Sequence, residues 1–160
     1  MKYLKILIIT GTIFLTACSA NITTSNADEI KEVHKQNLEA MFALNFDFLE
    51  SKFSKEFKIL GSKSDKTLDY VAEVKKDVDP NAPVFKKNIR ELYDFKNVYV
   101  FDYDQMVKNG IAKRINFLKD GDYFAQINPN AGISKQYGIE ELALLYRKID
   151  NNWIAIGGTQ

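Results

Sequence analysis

Few side chains of this sequence could do chemistry, because its 160 residues include one cysteine, Cys18, and one histidine, His34. A thiol can act as a nucleophile or accept a covalent group, and an imidazole can move a proton or bind a metal. A structural zinc site needs about four ligands, and one histidine without a second thiol does not favour it. We therefore expect no metal and no cofactor, and we assign no catalytic residue.

Cys18 follows a short apolar segment that is typical of a signal for export. Lys2 and Lys5 precede an apolar run from Ile6 to Leu15, and Ala17 stands directly before the cysteine. Ten helical residues rise about 15 Å, half the thickness of a hydrocarbon core, so this run is too short to span a membrane. A positive start, a short apolar middle and small residues at the exit define a secretory signal.

The four residues Leu15-Thr16-Ala17-Cys18 resemble the lipobox of bacterial lipoprotein precursors. The resemblance implies that residues 1–17 are removed as a signal peptide and that Cys18 carries a diacylglycerol and an N-acyl chain such as palmitate. Two or more acyl chains hold a protein stably at a membrane. The alternative interpretation is an ordinary secretory signal in which the cysteine occurs by chance.

The residues after the cysteine are Ser19 and Ala20, without an aspartate, which is similar to the outer-membrane sorting pattern of Gram-negative lipoproteins. The resemblance implies a cell-envelope protein on the periplasmic face of the outer membrane. In a Gram-positive host, the same motif would imply the outer face of the plasma membrane.

The composition of the mature chain excludes some classes of partner. The full chain has 22 basic and 21 acidic residues. Loss of Lys2 and Lys5 with the signal leaves the two numbers almost equal. Such a balance does not favour nucleic acid. Once Cys18 is lipidated no thiol remains for a disulfide, so the domain must be stabilised by its core, for which 11 Phe, 8 Tyr and one Trp are available.

The polarity pattern divides the mature chain into a tether and one globular domain. Residues 18–26 are the lipidated cysteine and a polar segment, of which eight extended residues reach at most about 26–29 Å. Residues 27–160 form the domain, whose length suits a single core. Ser25, followed by Asp28, predicts a helix start.

Apolar residues at spacings of three and four predict helices in the first half of the domain. The pattern runs from Ile30 to Phe53 and is broken near residues 45–47, where an aspartate could cap a second helix. A short strand over residues 57–60 should end at Gly61. Ser64 or Asp65 should cap a third helix over residues 66–77, followed by a loop over residues 79–83.

Alternating apolar residues and turn signals predict strands in the second half. The predicted strands are residues 97–104, 111–118, 123–127, 142–149 and 153–156. The turns between them are Asn109-Gly110, Asp120-Gly121 and Asp150-Asn151-Asn152. Helices followed by a run of antiparallel strands predict an α+β fold.

Three stretches resemble the nuclear transport factor 2-like (NTF2-like) superfamily. Residues 38–59 and 61–78 are similar to its first three helices and first strand, and residues 142–158 to its closing hairpin, with Trp153 after the turn. The resemblance implies helices packed on a curved antiparallel sheet, a cone with a pocket at its open end, and a homodimer formed through the outer face of the sheet. The superfamily includes isomerases, dehydratases and non-catalytic binding modules, so the fold alone does not choose a function.

Two groups of polar residues are catalytic candidates. His34 stands beside Glu32 and Lys35, which predicts a solvated surface histidine rather than a base. Asp102 and Asp104 should share one face of a strand with Tyr103 on the other, and a carboxylate beside a tyrosine could move a proton. Exposed carboxylates near a turn are the interpretation that we favour.

Aromatic residues are candidates for the lining of a ligand pocket. The helical spacing of Phe42, Phe46, Leu49 and Phe53 predicts core packing. Seven tyrosines could line a cavity or a recognition face, although half-buried strand positions also account for them: Tyr70, Tyr93, Tyr99, Tyr103, Tyr123, Tyr137 and Tyr146. The residues Asp120-Gly121-Asp122 and Asp150-Asn151-Asn152 lack the continuation of a calcium loop and predict turns.

These observations support three hypotheses of function. The first is a membrane-anchored, non-catalytic binding module, whose ligand is a small molecule held in the cone or an envelope protein docked on the sheet. The second is a protein inhibitor or immunity-type lipoprotein. The third is an isomerase-like or dehydratase-like enzyme, which requires Asp102 or Asp104 to point into the cone.

Overall fold

The computed structural model describes residues 25–60 and 67–159, which form helices packed on a six-stranded, curled sheet. The helices are α1 (Asn26–Phe42), α2 (Phe46–Lys52), α3 (Tyr70–Asp77), α4 (Ile89–Leu92), α5 (Tyr103–Lys108) and α6 (Ile133–Tyr137). The strands are β1 (Phe53–Ile59), β2 (Thr67–Leu68), β3 (Tyr93–Phe101), β4 (Tyr123–Pro129), β5 (Leu142–Ile149) and β6 (Asn152–Gly158). In these two ranges no helix is both long and apolar enough to cross a membrane.

The α+β class is confirmed, but the sheet is mixed rather than antiparallel. Its strand order is β2-β1-β6-β5-β4-β3, and β1 runs parallel to β6. The other pairs are antiparallel. A parallel pair needs a long crossover, and here the chain between β1 and β6 forms the rest of the domain.

The helical first half follows the sequence pattern closely. Ser25 caps α1, and its hydroxyl accepts a hydrogen bond from the Asp28 amide. The expected break occurs at Leu44, which has a φ of 52°, and Asn45 rather than an aspartate caps α2. The third helix was predicted to begin too early, because Asp69 caps α3 at Tyr70 after the short strand β2. Gly61, Ser64, Asp65 and Lys66 lie outside the described residues.

The predicted strands after residue 101 were wrong in two places. Strand β3 ends at Phe101, and Asp102 begins helix α5 through a capping box with Gln105. The Asn109-Gly110 pair ends that helix, with Gly110 at a φ of 74°, instead of forming a hairpin. Residues 111–118 form a 3₁₀ turn (Ala112–Arg114) and irregular structure. In contrast, the Asp150-Asn151 turn between β5 and β6 is confirmed.

Both faces of the sheet carry buried apolar residues. The inner face packs against α1 through a large cluster that includes Ile127, Leu144 and Trp153. The outer face carries a second cluster that includes Phe124, Leu145 and Ile156. Residues 102–122, which we call the strap, cover this second cluster with side chains such as Met106, Ile115 and Phe117.

A buried ion pair fastens the end of the strap to the sheet. The Arg147 guanidinium donates to both carboxylate oxygens of Asp122, at 2.8 and 2.7 Å, and to the Phe117 carbonyl at 3.0 Å. Asp122 is 1% exposed and also accepts from the Lys119 amide. Bidentate pairs of this kind are among the stronger hydrogen bonds, so the C-terminal end of the strap is held firmly on β5.

Candidate functional site

The histidine is completely buried, which corrects the expectation of a solvated side chain. His34 and Asn37 are both 0% exposed and lie on the face of α1 that contacts the sheet. Together with Ile30 they follow a spacing of four and three, which carries them to the apolar side of the helix. The flanking Glu32 and Lys35 lie on the other side and form an ion pair with each other.

A hydrogen-bonded network joins these two residues to β5. Asn37 Nδ2 donates to the Tyr146 hydroxyl at 3.0 Å, and His34 Nδ1 lies 2.9 Å from the same oxygen. Because Asn37 already donates to that oxygen, the arrangement is best satisfied when the hydroxyl donates to Nδ1. His34 is then neutral, with its proton on Nε2.

Burial sets the protonation states of this network. It lowers the pKa of His34 from 6.5 to about 4, partly opposed by the backbone of Leu142, and it raises the pKa of the Tyr146 hydroxyl. In the described residues, His34 Nε2 and Asn37 Oδ1 have no hydrogen-bond partner of standard geometry. All three side chains are 0% exposed, so no substrate reaches them in this conformation. The network joins α1 to the sheet and is not the candidate site.

The acidic candidates do not enter the interior of the fold, and they do not lie on a strand. The Asp102 carboxylate accepts from the Gln105 amide at 2.8 Å as the cap of α5, and Asp104 is exposed on that helix. They border a shallow hollow of about 190 Å³ together with Asp120. Residues 25–60 and 67–159 contain no cluster of three or more acidic, histidine or cysteine side chains suited to a metal ion.

The tyrosines do not line one cavity. Tyr146 and Tyr93 are buried in the inner core, Tyr70 stacks on Phe53, and Tyr123 packs against Trp153. These four tyrosines are packing residues, so they give no support to a ligand surrounded by tyrosines inside the cone. The predicted core role of the apolar stripe over residues 42–53 is confirmed, since Leu49 and Phe53 are buried in the inner cluster and Phe42 and Phe46 pack against that cluster. Phe53 begins strand β1 instead of continuing the helix.

One hollow lies on the outer face of the sheet, beside the strap. It has a volume of about 340 Å³, within the range of small-molecule sites, about 300–1,000 Å³. Its apolar wall is made of Leu60, Ile111, Ile115 and Phe124, and its polar lining includes Asn109, Gly110, Gln126, Glu141 and Thr159. We call this hollow the groove.

The backbone pattern explains why a depression forms here. Alternation along β4 directs both Phe124 and Gln126 to the outer face, where Phe124 belongs to the outer cluster. On β6, Gly157 allows close packing, because a Cβ there would lie 2.9 Å from the Lys58 carbonyl oxygen and 3.1 Å from the Phe117 ring. The strap therefore lies close to the sheet at Phe117, and Leu60, which also lies against Gly157, borders the groove.

The polar part of the groove is organised by one amide. Gln126 Nε2 donates to Asn128 Oδ1 at 2.9 Å and to Glu141 Oε2 at 3.1 Å. A carboxylate only accepts, so the atom of Gln126 that faces Glu141 must be the amide nitrogen. Both hydrogens of this nitrogen are therefore used within the protein, and the Gln126 carbonyl oxygen remains as an acceptor.

A second hollow, of about 590 Å³, continues from the groove and shares Glu141 and Thr159 with it. Its other lining residues are Asn128, Pro129, Asn130, Ala131, Gly132, Ser134 and Glu140. The Tyr93 hydroxyl donates to the Glu140 carbonyl at 2.9 Å, which fixes the chain just before β5. The two hollows are neighbours, and Glu141 lies at their junction.

Sequence reasoning did not single out any residue of the groove. Gln126 and Glu141 are ordinary polar residues in the sequence, and they meet only because β4 and β5 are paired with Gln126 opposite Ala143. The alternation of Phe124 and Gln126 on one face was the available signal. This signal identifies a groove only when it is known that the strap covers just part of the outer face.

Comparison with known proteins adds no assignment, since no protein-family model matches the chain and no curated protein is significantly similar to it.

Proposed function

We propose that this chain is a lipid-anchored protein of the bacterial cell envelope that acts as a non-catalytic binding module, with the groove as its ligand site. The observation that carries the proposal is the groove itself, because it combines an apolar wall with a few convergent polar groups in the manner of small-molecule sites. The candidates for proton transfer are either sealed in the core or displaced onto the strap.

The fold supports an NTF2-like assignment as part of this proposal. Helices α2 and α3 pack against β1, and α1 packs against β3, β4 and β5. The strap is an addition that covers part of the outer face, the surface through which the superfamily often dimerises. A homodimer of this chain would have to form through the part of the outer face that the strap leaves uncovered.

The geometry suits an anchor at one end and a binding site at the other. The start of α1 lies beside the β5–β6 hairpin, where Trp153 Nε1 donates to the Glu29 carboxylate at 2.9 Å. The groove lies near the opposite ends of these strands, at Glu141 and Thr159. Strand β5 has eight residues and so separates the two ends by about 26 Å. The start of the domain and the groove therefore lie at opposite ends of β5.

The anchor is tested by the Cys18→Ala variant. The variant is exported behind an ordinary cleavable secretory signal in place of residues 1–17. We expect the wild-type protein to partition into the detergent-rich phase of a phase separation and this variant into the aqueous phase, because acyl chains supply the membrane affinity. The mature wild-type protein should also carry the mass of its lipid. Equal partitioning of the two proteins, or an unmodified Cys18 in the wild type, would contradict the lipid anchor.

The groove is tested by native mass spectrometry of the mature chain with Cys18→Ala, purified gently from the periplasm. We expect a bound mass of a few hundred daltons, and we expect Ile111→Trp to remove it by filling the groove. Val107→Trp is the matched control, since Val107 is 49% exposed on the same strap and does not line the groove. A bound mass retained by Ile111→Trp, or absent from all three proteins, would count against the groove as the ligand site.

A protein partner is the second candidate, and one exposed aromatic residue favours it. Tyr99 is 49% exposed, and on β3 it lies directly opposite Gln126, so both side chains are on the outer face. Exposed tyrosines are frequent anchors of protein interfaces. An inhibitor or immunity-type role predicts that a cross-linked envelope partner is lost in Tyr99→Ala and retained in Ile111→Trp.

A further inference from the structure

We infer that the ligand of the groove is an organic cation, a primary ammonium or guanidinium attached to an apolar body. The inference rests on the proposed function and specifies the chemistry of the same site. Three features of the groove lead to it: the charge of its lining, the direction of its free hydrogen-bonding groups, and the position of its apolar wall.

The described lining carries two acidic side chains. They are Glu140 and Glu141, and Glu141 borders both hollows. Glu141 is exposed at the junction, and a hydrogen bond from the neutral Gln126 amide leaves its charge uncompensated. An anionic ligand would be repelled there, whereas a cation would gain a partner.

The side chain of Gln126 presents an acceptor beside Glu141. Both hydrogens of Gln126 Nε2 are committed to Asn128 and Glu141, which leaves the Gln126 carbonyl oxygen and the second carboxylate oxygen of Glu141. In the adjoining hollow, Asn130 Nδ2 is likewise committed to the carbonyls of Arg90 and Glu91. A ligand that matches this surface donates several hydrogen bonds, as an ammonium or guanidinium does.

The apolar wall gives the body of the ligand a place to bind. Phe124 lies two residues before Gln126 on β4, so the two side chains are neighbours on the outer face of the sheet. Ile111 and Ile115 of the strap complete this wall. A cationic head at Glu141 would therefore place an attached ring or alkyl group against Phe124 and the strap, where its burial is favourable.

The experiment compares three probes that share one body, namely benzylammonium, benzoate and benzyl alcohol. They are titrated into the mature chain with Cys18→Ala at pH 7, and amide chemical shifts of Gly110, Ile111 and Gln126 are followed. We expect benzylammonium to shift these amides with an affinity at least tenfold higher than benzoate. Glu141→Gln should weaken benzylammonium at least fivefold and leave benzyl alcohol unchanged. Glu73→Gln, an exposed glutamate on α3, is the control that should change neither.

The outcomes separate this inference from the proposed function. Equal or tighter binding of benzoate or benzyl alcohol at these amides would overturn the cationic ligand while leaving the groove as a binding site. Binding of benzylammonium that is insensitive to Glu141→Gln would overturn the assigned contact and with it the inference. If none of the three probes shifts the groove amides, the inference is also wrong, whereas the proposed function is decided by its own mass-spectrometric test.

Discussion

Tyr146→Phe is expected to lower the free energy of unfolding by about 2–4 kcal/mol, although it removes a single oxygen atom. That oxygen is buried and bonded to both Asn37 Nδ2 and His34 Nδ1. Its loss would leave two buried polar atoms without partners, and each such atom costs about 1–3 kcal/mol. Urea unfolding followed by circular dichroism measures the effect.

Two further variants test whether the lost bonds cause this destabilisation. Tyr93→Phe removes a hydroxyl that makes one hydrogen bond, to the Glu140 carbonyl, and should cost only about 1 kcal/mol. Combining Tyr146→Phe with His34→Leu and Asn37→Leu removes every polar member of the network, so this triple variant should recover part of the lost stability. A change below about 0.5 kcal/mol in Tyr146→Phe would mean that the network contributes nothing to stability.

Acidification should destabilise the protein well above the pH at which its carboxylates titrate. Burial lowers the pKa of His34 from 6.5 to about 4, so the unfolded chain binds a proton over this window that the folded protein does not. Stability is therefore complete above pH 6.5 and is lost as the pH falls towards 4. The loss at pH 4.5 should reach about 2–3 kcal/mol, measured by urea unfolding at pH 7.0, 5.5 and 4.5.

The His34→Gln variant isolates the contribution of the histidine. Its unfolding free energy should change little between pH 7.0 and 4.5, because glutamine does not titrate. The carboxylates with lowered pKa, namely Asp28, Asp69 and Asp94, act below their ordinary value of 3.8 and thus outside the window. If wild type and variant lose stability in parallel, the buried neutral histidine is not responsible.

The sequence predicts local structure well wherever neighbouring residues decide it. The Ser25 cap, the break near Leu44 and the Asp150-Asn151 turn are set by side chains a few residues apart, and all three are confirmed. Residues 111–118 of the strap read as a strand in the sequence because short apolar runs fit several structures. Its apolar residues instead cover the outer face of the sheet.

Features that depend on distant residues could not be read from the sequence. His34 was assigned by its charged neighbours, whereas its real partner, Tyr146, is 112 residues away in the chain. Its spacing of four residues from the apolar Ile30 indicates the buried face of the helix, and this signal is more informative than the charge of the neighbouring Glu32 and Lys35. The parallel pairing of β1 with β6 and the meeting of Gln126 with Glu141 arise from topology, which propensities do not encode.

The central claim, that an anchored domain binds its ligand through the groove, is tested most directly by photo-crosslinking in intact cells. A photoreactive phenylalanine is placed at Asn109, which lines the groove, or at Lys76, an exposed residue of α3. After irradiation and isolation of the membrane fraction, our account predicts a covalent adduct of a few hundred daltons at position 109 and none at position 76. Adducts at both positions, or at position 76 alone, would contradict the claim.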